Sequence, residues 1–280
     1  MDSLNEARKD VVGPRDLSVE VNGLRVGYER AGDGAPLVLL HGYVGDGAST
    51  FRRQLDEFSD AFTVVAWDAP GAGRSSDPPE SFGLGDFADT LADFIAALGL
   101  DRPHVLGLSF GGGLALELYR RHPAIPRSLV LAGAYAGWAG SLPPAVVEMR
   151  LRQAEELAAL PPDELVHALL PTMFSEAAPQ ELVDGFAAGV ARFHPLGFRT
   201  MARAFAAADL RDVLPHIDVP TLLLHGDRDV RAPLDVAEAL REAIPSSKLV
   251  VMPDVGHVSC VEAADRFNAE VRRFLQAAAG

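Results

Sequence analysis

Gly107-Leu108-Ser109-Phe110-Gly111 sets a serine between two glycines, after an apolar run and before a helix-patterned stretch. A serine on such a sharp strand-to-helix turn is forced into dihedrals that crowd positions i−2 and i+2, so glycine there is a steric requirement. Its hydroxyl is a poor nucleophile near neutral pH. It needs a base within hydrogen-bond reach and a carboxylate to orient that base. In this arrangement acid and histidine follow the serine in that order. His257 meets the condition: beyond position 224 the other histidine is His225, which precedes every acid of its loop. For the acid, the segment His225-Gly226-Asp227-Arg228-Asp229-Val230-Arg231-Ala232-Pro233 offers two aspartates. Asp229 is favoured, deeper in the loop, whereas Asp227 follows the strand-ending glycine, where it tethers Arg228 or caps the turn. Asp254, three residues before His257, is expected to shape that turn, and the loop 132–138 has no carboxylate. The oxyanion of an acyl-transfer intermediate requires two aimed N–H donors. They are expected from Phe110, at the helix start beside the serine, and from Tyr43 in the loop His41-Gly42-Tyr43-Val44-Gly45. The ring of His41 is expected to hydrogen-bond loop backbone.

These residues need a scaffold that brings distant loops to one edge. Continuous apolar runs at 37–40, 62–67, 104–108 and 128–131 read as strands buried on both faces, and further strands are expected at 221–224 and 248–252. Helix-patterned stretches at 51–58, 84–98, 111–121, 234–243 and 261–276 alternate with them, and in the second of these Asp86, Asp89 and Asp93 oppose Phe87, Leu91 and Phe94. The alternation predicts an α/β fold with a mostly parallel sheet flanked by helices. Asn22-Gly23 between the runs 17–21 and 24–28 predicts a tight antiparallel hairpin ahead of it. Residues 1–15 read as a polar tail, 16–141 and 210–280 as one core, and 142–209 as an all-helical lid, where prolines at 143, 144, 161, 162, 171, 179 and 195 separate four helix-length pieces.

Composition narrows the partners. The 280 residues carry 25 basic and 39 acidic side chains, a net charge of −14, with 48% hydrophobic residues. The excess acid opposes binding to phosphate backbones and anionic lipid surfaces, so neither nucleic acid nor a membrane is expected. No apolar stretch is long enough to span a bilayer. The first ten residues, MDSLNEARKD, lack the apolar run of a secretory signal, and the lone Cys260 permits no internal disulfide, so a cytoplasmic location is expected. The glycine-rich segment Asp68-Ala-Pro-Gly-Ala-Gly-Arg-Ser75 lacks the third glycine of a dinucleotide fingerprint and reads as a structural turn. No metal-ligand spacing occurs, so no cofactor or metal is expected.

The stretches HGYVGDG, DAPGAGRSS, GLSFGGG, HGDRDVRAP and VGHVSCVEAADRFNAEVRRFL together resemble the α/β-hydrolase superfamily, in its branch of lidded esterases, lactonases and carbon–carbon bond hydrolases. The resemblance implies a sheet of about eight strands, Ser109 as nucleophile, Asp229 as acid and His257 as base. Its aspartate-nucleophile dehalogenases are disfavoured by the serine at 109. The reaction expected is hydrolysis of a small to medium, largely apolar carboxylic ester or lactone through an acyl-enzyme. Alternatives are carbon–carbon cleavage or enol-lactone opening with the same triad, or a non-catalytic ligand receptor on the same fold. Tyr43, Phe110, Trp138, Met173, Phe174, Phe193 and Val230 are the candidate substrate contacts, with Met149 and Met201 as further apolar residues of the lid. A monomer or homodimer acting on a small molecule is expected.

Overall fold

The computed structural model describes residues 15–278. Eight strands form one sheet in the order β1-β2-β4-β3-β5-β6-β7-β8. They are β1 (Arg15–Val21), β2 (Leu24–Ala31), β3 (Ala35–Leu40), β4 (Phe62–Trp67), β5 (His104–Leu108), β6 (Ser128–Ala132), β7 (Thr221–Gly226) and β8 (Ser247–Met252). The first three in spatial order pair antiparallel and the rest parallel. The β1–β2 hairpin turns at Asn22 and Gly23, both left-handed at φ 52° and 78°, as a type I′ turn requires. Apart from Arg15, which begins β1, the expected tail lies outside the described residues.

Every residue of β4, β5, β6 and β7 is buried, because helices cover both faces of the sheet. Phe62 and Trp67, five residues apart on β4, point to opposite sides. Phe62 meets Phe58 of α1 (Gly47–Phe58) at 6.4 Å between ring centroids, and Trp67 meets Phe94 of α2 (Leu84–Ala97) at 5.9 Å. Helix α3 (Phe110–Arg121) follows β5 directly.

Between β6 and β7 the chain is helical: α4 (Trp138–Ser141), α5 (Pro144–Ala158), α6 (Pro162–Leu169), a 3₁₀ turn at Leu170–Thr172, α7 (Gln180–Val190) and α8 (Pro195–Ala207). Proline opens α5, α6 and α8, where its missing N–H costs nothing. The helical run thus begins at Trp138, ahead of the boundary expected at 142. Its two ends are pinned together, since Leu210 N–H donates to Ala136 O at 2.9 Å and Gly140 N–H to Ala208 O at 3.2 Å. Helix α9 (Leu234–Ala243) precedes β8. The helix expected over 261–276 is two: α10 (Ser259–Glu262) and α11 (Ala264–Ala278) break at Ala263, which leaves helical geometry at φ −125°, ψ 46°. No helix among the described residues is long and apolar enough to cross a membrane.

Candidate active site

Ser109 stands between β5 and α3 at φ 55°, ψ −111°, a conformation that costs an L-residue on the order of 1–3 kcal/mol. It is held there by Ser109 N–H donating to Ala132 O at 2.8 Å and by Gly112 and Gly113 N–H donating to Ser109 O. The flanking glycines have no alternative. A Cβ on Gly107 would lie 2.1 Å from Gly111 O, and one on Gly111 would lie 2.1 Å from Leu40 O. The spacing read from the sequence is therefore a backbone contact between β5, α3 and the end of β3.

Asp229 is buried in the loop after β7, and its two oxygens have separate duties. Oδ2 accepts from Nδ1 of His257 at 2.7 Å, while Oδ1 accepts the N–H of Arg231 at 2.9 Å and of Ala232 at 2.8 Å. Burial pushes its carboxyl up, but the His257 charge, the hydrogen bond from that ring and the Ala232 N–H outweigh this and hold it below the ordinary carboxylate value. When the ring is neutral and Nδ1 donates to Asp229, Nε2 is its acceptor. His257 and Ser109 line one small cavity of about 20 Å³ together with Gly42, Tyr43 and Met173. The other aspartates lie elsewhere: Asp227 accepts Asp254 N–H at 2.7 Å, and Arg228 pairs with Asp254 at 3.1 Å.

Gly42 lies against the serine, a Cβ built on it being 3.8 Å from Ser109 Cβ. His41 Nδ1 donates to Gly42 O at 2.5 Å, and its Nε2 accepts Ala69 N–H at 2.9 Å. In the planar trans peptide, holding the Gly42 carbonyl turns the Tyr43 N–H the opposite way. Burial holds the His41 imidazole below its ordinary pKa, which suits a neutral ring that donates at one nitrogen and accepts at the other. Neither the Tyr43 nor the Phe110 N–H has an acceptor among the described residues.

A second cavity of about 190 Å³ adjoins the first and shares Tyr43 and Arg231 with it. Trp138, Met149 and Val230 line it, Val230 being 67% exposed at its rim. Three expected substrate contacts line neither cavity. The Phe110 ring packs edge-on against Phe87 and Phe205, Phe174 packs on Phe186, and Phe193 on Phe198. Met201 is likewise core. A large ring gains more by packing edge-on against another ring than by facing a wet cleft.

Several residues around the site carried no advance signal. Gly133, just past β6, leaves room for the Asp229–His257 pair: a Cβ there would lie 3.1 Å from His257 Nδ1 and 3.3 Å from Asp229 Oδ2. Glu262 on α10 accepts Gly256 N–H at 2.9 Å, Ser175 N–H at 3.2 Å and the Ser175 hydroxyl, so it ties the His257 loop to the helical segment. Asp68 accepts N–H groups of Gly47 and Arg74 and orders the glycine-rich turn before Ser76. Among the described residues no three His, Cys, Asp or Glu side chains are disposed to hold a metal ion.

A strained serine at a helix N-terminus, lining one cavity with an imidazole that is bonded to a carboxylate, has the strand–turn–serine–helix arrangement of the α/β hydrolases. The chain belongs to the alpha/beta hydrolase fold family, whose model matches residues 35–264. It is 30% identical over 264 residues to a serine hydrolase of Mus musculus, BPHL, covering 92% of this chain and 85% of that one. Among solved structures it resembles a thermophilic esterase from Thermogutta terrifontis, with a TM-score of 0.86 and 27% identity, covering 94% of this chain and 99% of that chain. The enol-lactonase from Burkholderia xenovorans LB400 is similar at a TM-score of 0.84 and 26% identity, covering 93% and 100%.

Proposed function

We propose that the protein is a serine hydrolase that cleaves a small to medium carboxylic ester or lactone through an acyl-enzyme. The observation that carries this reading is the 2.7 Å hydrogen bond from His257 to Asp229 at the wall of the cavity that Ser109 also lines. Ser109 Oγ attacks the carbonyl carbon while Nε2 of His257 takes its proton. The oxygen of the tetrahedral intermediate accepts the N–H groups of Tyr43 and Phe110. His257 then returns the proton to the leaving alkoxide. A water activated by the same nitrogen hydrolyses the acyl-enzyme and restores the serine.

The helical segment between β6 and β7 acts in this reading as a lid, because Met173 and Thr172 from it help enclose the two cavities. The space beside Ser109 is about that of one water, so an acyl chain extends into the larger cavity or displaces the lid. Likeness to an enol-lactonase supports a second substrate, an enol-lactone opened by the same three residues.

The test is turnover of short-chain chromogenic esters and of lactones by the wild type and by Ser109→Ala, with fluorophosphonate labelling read by mass spectrometry. Turnover and a label on Ser109, both lost in the variant, are expected. A label that persists in Ser109→Ala overturns the nucleophile. No turnover and no label, with a ligand that still raises the melting temperature, favours a receptor instead.

A further inference from the structure

Two guanidinium groups face the 190 Å³ cavity, and neither has a carboxylate in ion-pair reach among the described residues. Arg231 donates from Nη1 to Thr172 Oγ1 at 2.9 Å and from Nη2 to the Tyr43 hydroxyl. Arg150 donates from Nη1 to the Tyr135 hydroxyl at 2.9 Å and from Nη2 to Arg231 O at 2.7 Å. All four acceptors are neutral oxygens. The lining of this cavity contains no acidic side chain, and Glu156 lines the neighbouring outer hollow without pairing with either arginine. The chain carries a net charge of −14, and arginines elsewhere, such as Arg52, Arg120, Arg121 and Arg272, do pair with its acidic side chains.

A guanidinium stays charged at all ordinary pH and has five N–H donors, so each arginine keeps donors beyond the two engaged. Two half-buried cations that share a cavity repel each other, and an anion between them relieves both that repulsion and their lost hydration. The planar fork of N–H groups matches a carboxylate in a bidentate pair. Arg231 and Tyr43 line both cavities, so an anion seated at Arg231 lies one short chain from a carbonyl at Ser109.

We propose that Arg231, supported by Arg150, seats a carboxylate at the far end of the substrate, so that the preferred esters or lactones are those of short dicarboxylic or other anionic acids. This deepens the hydrolase reading and rests on it for the position of the scissile carbonyl. The cavity is smaller than the roughly 300–1,000 Å³ of drug-sized sites, which limits the connecting chain to a few carbons.

The test compares the mono-4-nitrophenyl ester of glutaric acid with its neutral glutaramide counterpart. The expected result is a kcat/KM ratio of at least about 10 in favour of the anion, since charge-assisted bonds contribute on the order of 10- to 100-fold. The ratio falls towards one in Arg231→Gln and is reduced in Arg150→Gln, a second variant should the first fold poorly. In parallel, calorimetry on Ser109→Ala measures glutarate against glutaramide without turnover, and at least tenfold tighter glutarate binding that Arg231→Gln removes is expected. A wild-type ratio near one, a ratio that survives both arginine variants, or equal binding of the two ligands overturns the proposal. Failure of the hydrolase reading is distinct: neither ester is cleaved and fluorophosphonate leaves Ser109 unlabelled, while the anion seat is then judged on the calorimetry alone.

Discussion

Asp229 and His257 are joined at 2.7 Å through Oδ2 and Nδ1, and Oδ1 of Asp229 is occupied by two backbone N–H groups, so the carboxylate cannot rotate away from the ring. Replacing it with an amide keeps the shape but removes the charge, and lets an NH₂ face Nδ1 and turn the imidazole to the wrong tautomer. Asp229→Asn is expected to lower kcat by about 10⁴-fold with the fold retained, as read by steady-state kinetics beside circular dichroism.

Gly133 tests the space around that pair. At φ 50° an alanine costs about 1–2 kcal/mol, and its Cβ would stand 3.1 Å from His257 Nδ1. Gly133→Ala is expected to lower the melting temperature by a few degrees and kcat by about tenfold or more, because small misplacements of a general base are costly. Gly99→Ala is the control: its φ is 64° with nothing within 4 Å of the added carbon, so it shares the strain and leaves kcat unchanged.

Glu262 joins the His257 loop to the helical segment through Gly256 and Ser175. Glu262→Gln places an NH₂ against N–H donors and is expected to cost about 1.5–3 kcal/mol in denaturant titration, together with a loss of kcat. Ser175→Ala, which removes one hydroxyl, costs about 1 kcal/mol, and the double variant falls short of the sum.

Acid should loosen the fold through buried imidazoles. Burial, with Arg127 adding to it, pushes His104 down to about 4 from an ordinary 6.5, and burial also lowers His41 and His225. Above pH 6.5 His104 is neutral in both folded and unfolded chains. Between 6.5 and about 4 only the unfolded chain takes the proton, so stability falls as pH falls through that window. The melting temperature is expected to drop from pH 7 to pH 5, and His104→Gln to make that drop smaller.

Much of the scaffold was legible because its signals are local. The hairpin followed from Asn22-Gly23, whose left-handed dihedrals few other pairs tolerate, and the strands of β4 to β7 from unbroken apolar runs that only a doubly covered sheet can bury. The break at Ala263 and the early start at Trp138 were not legible, since neither a proline nor a change of periodicity marks them. At the site, the sequence points to both a backbone and a side-chain role for Phe110. The first concerns the helix start, which sequence position fixes, whereas the second depended on which way the ring turned, and it turned into the core between Phe87 and Phe205.

The amino-acid sequence alone specified a glycine-flanked serine at the end of a strand, with an acid and a histidine to follow it, because steric demands at i±2 and the order of elements are written along the chain. Which side chains surround that serine was decided only by tertiary packing. Arg231 lies two residues from Asp229 in the same loop, yet its partner Tyr43 is 188 residues away, and Arg150 reaches both neighbourhoods from a separate helix. Such meetings depend on how helices cross and rotate over the sheet, a balance of many buried contacts that no single stretch of sequence contains.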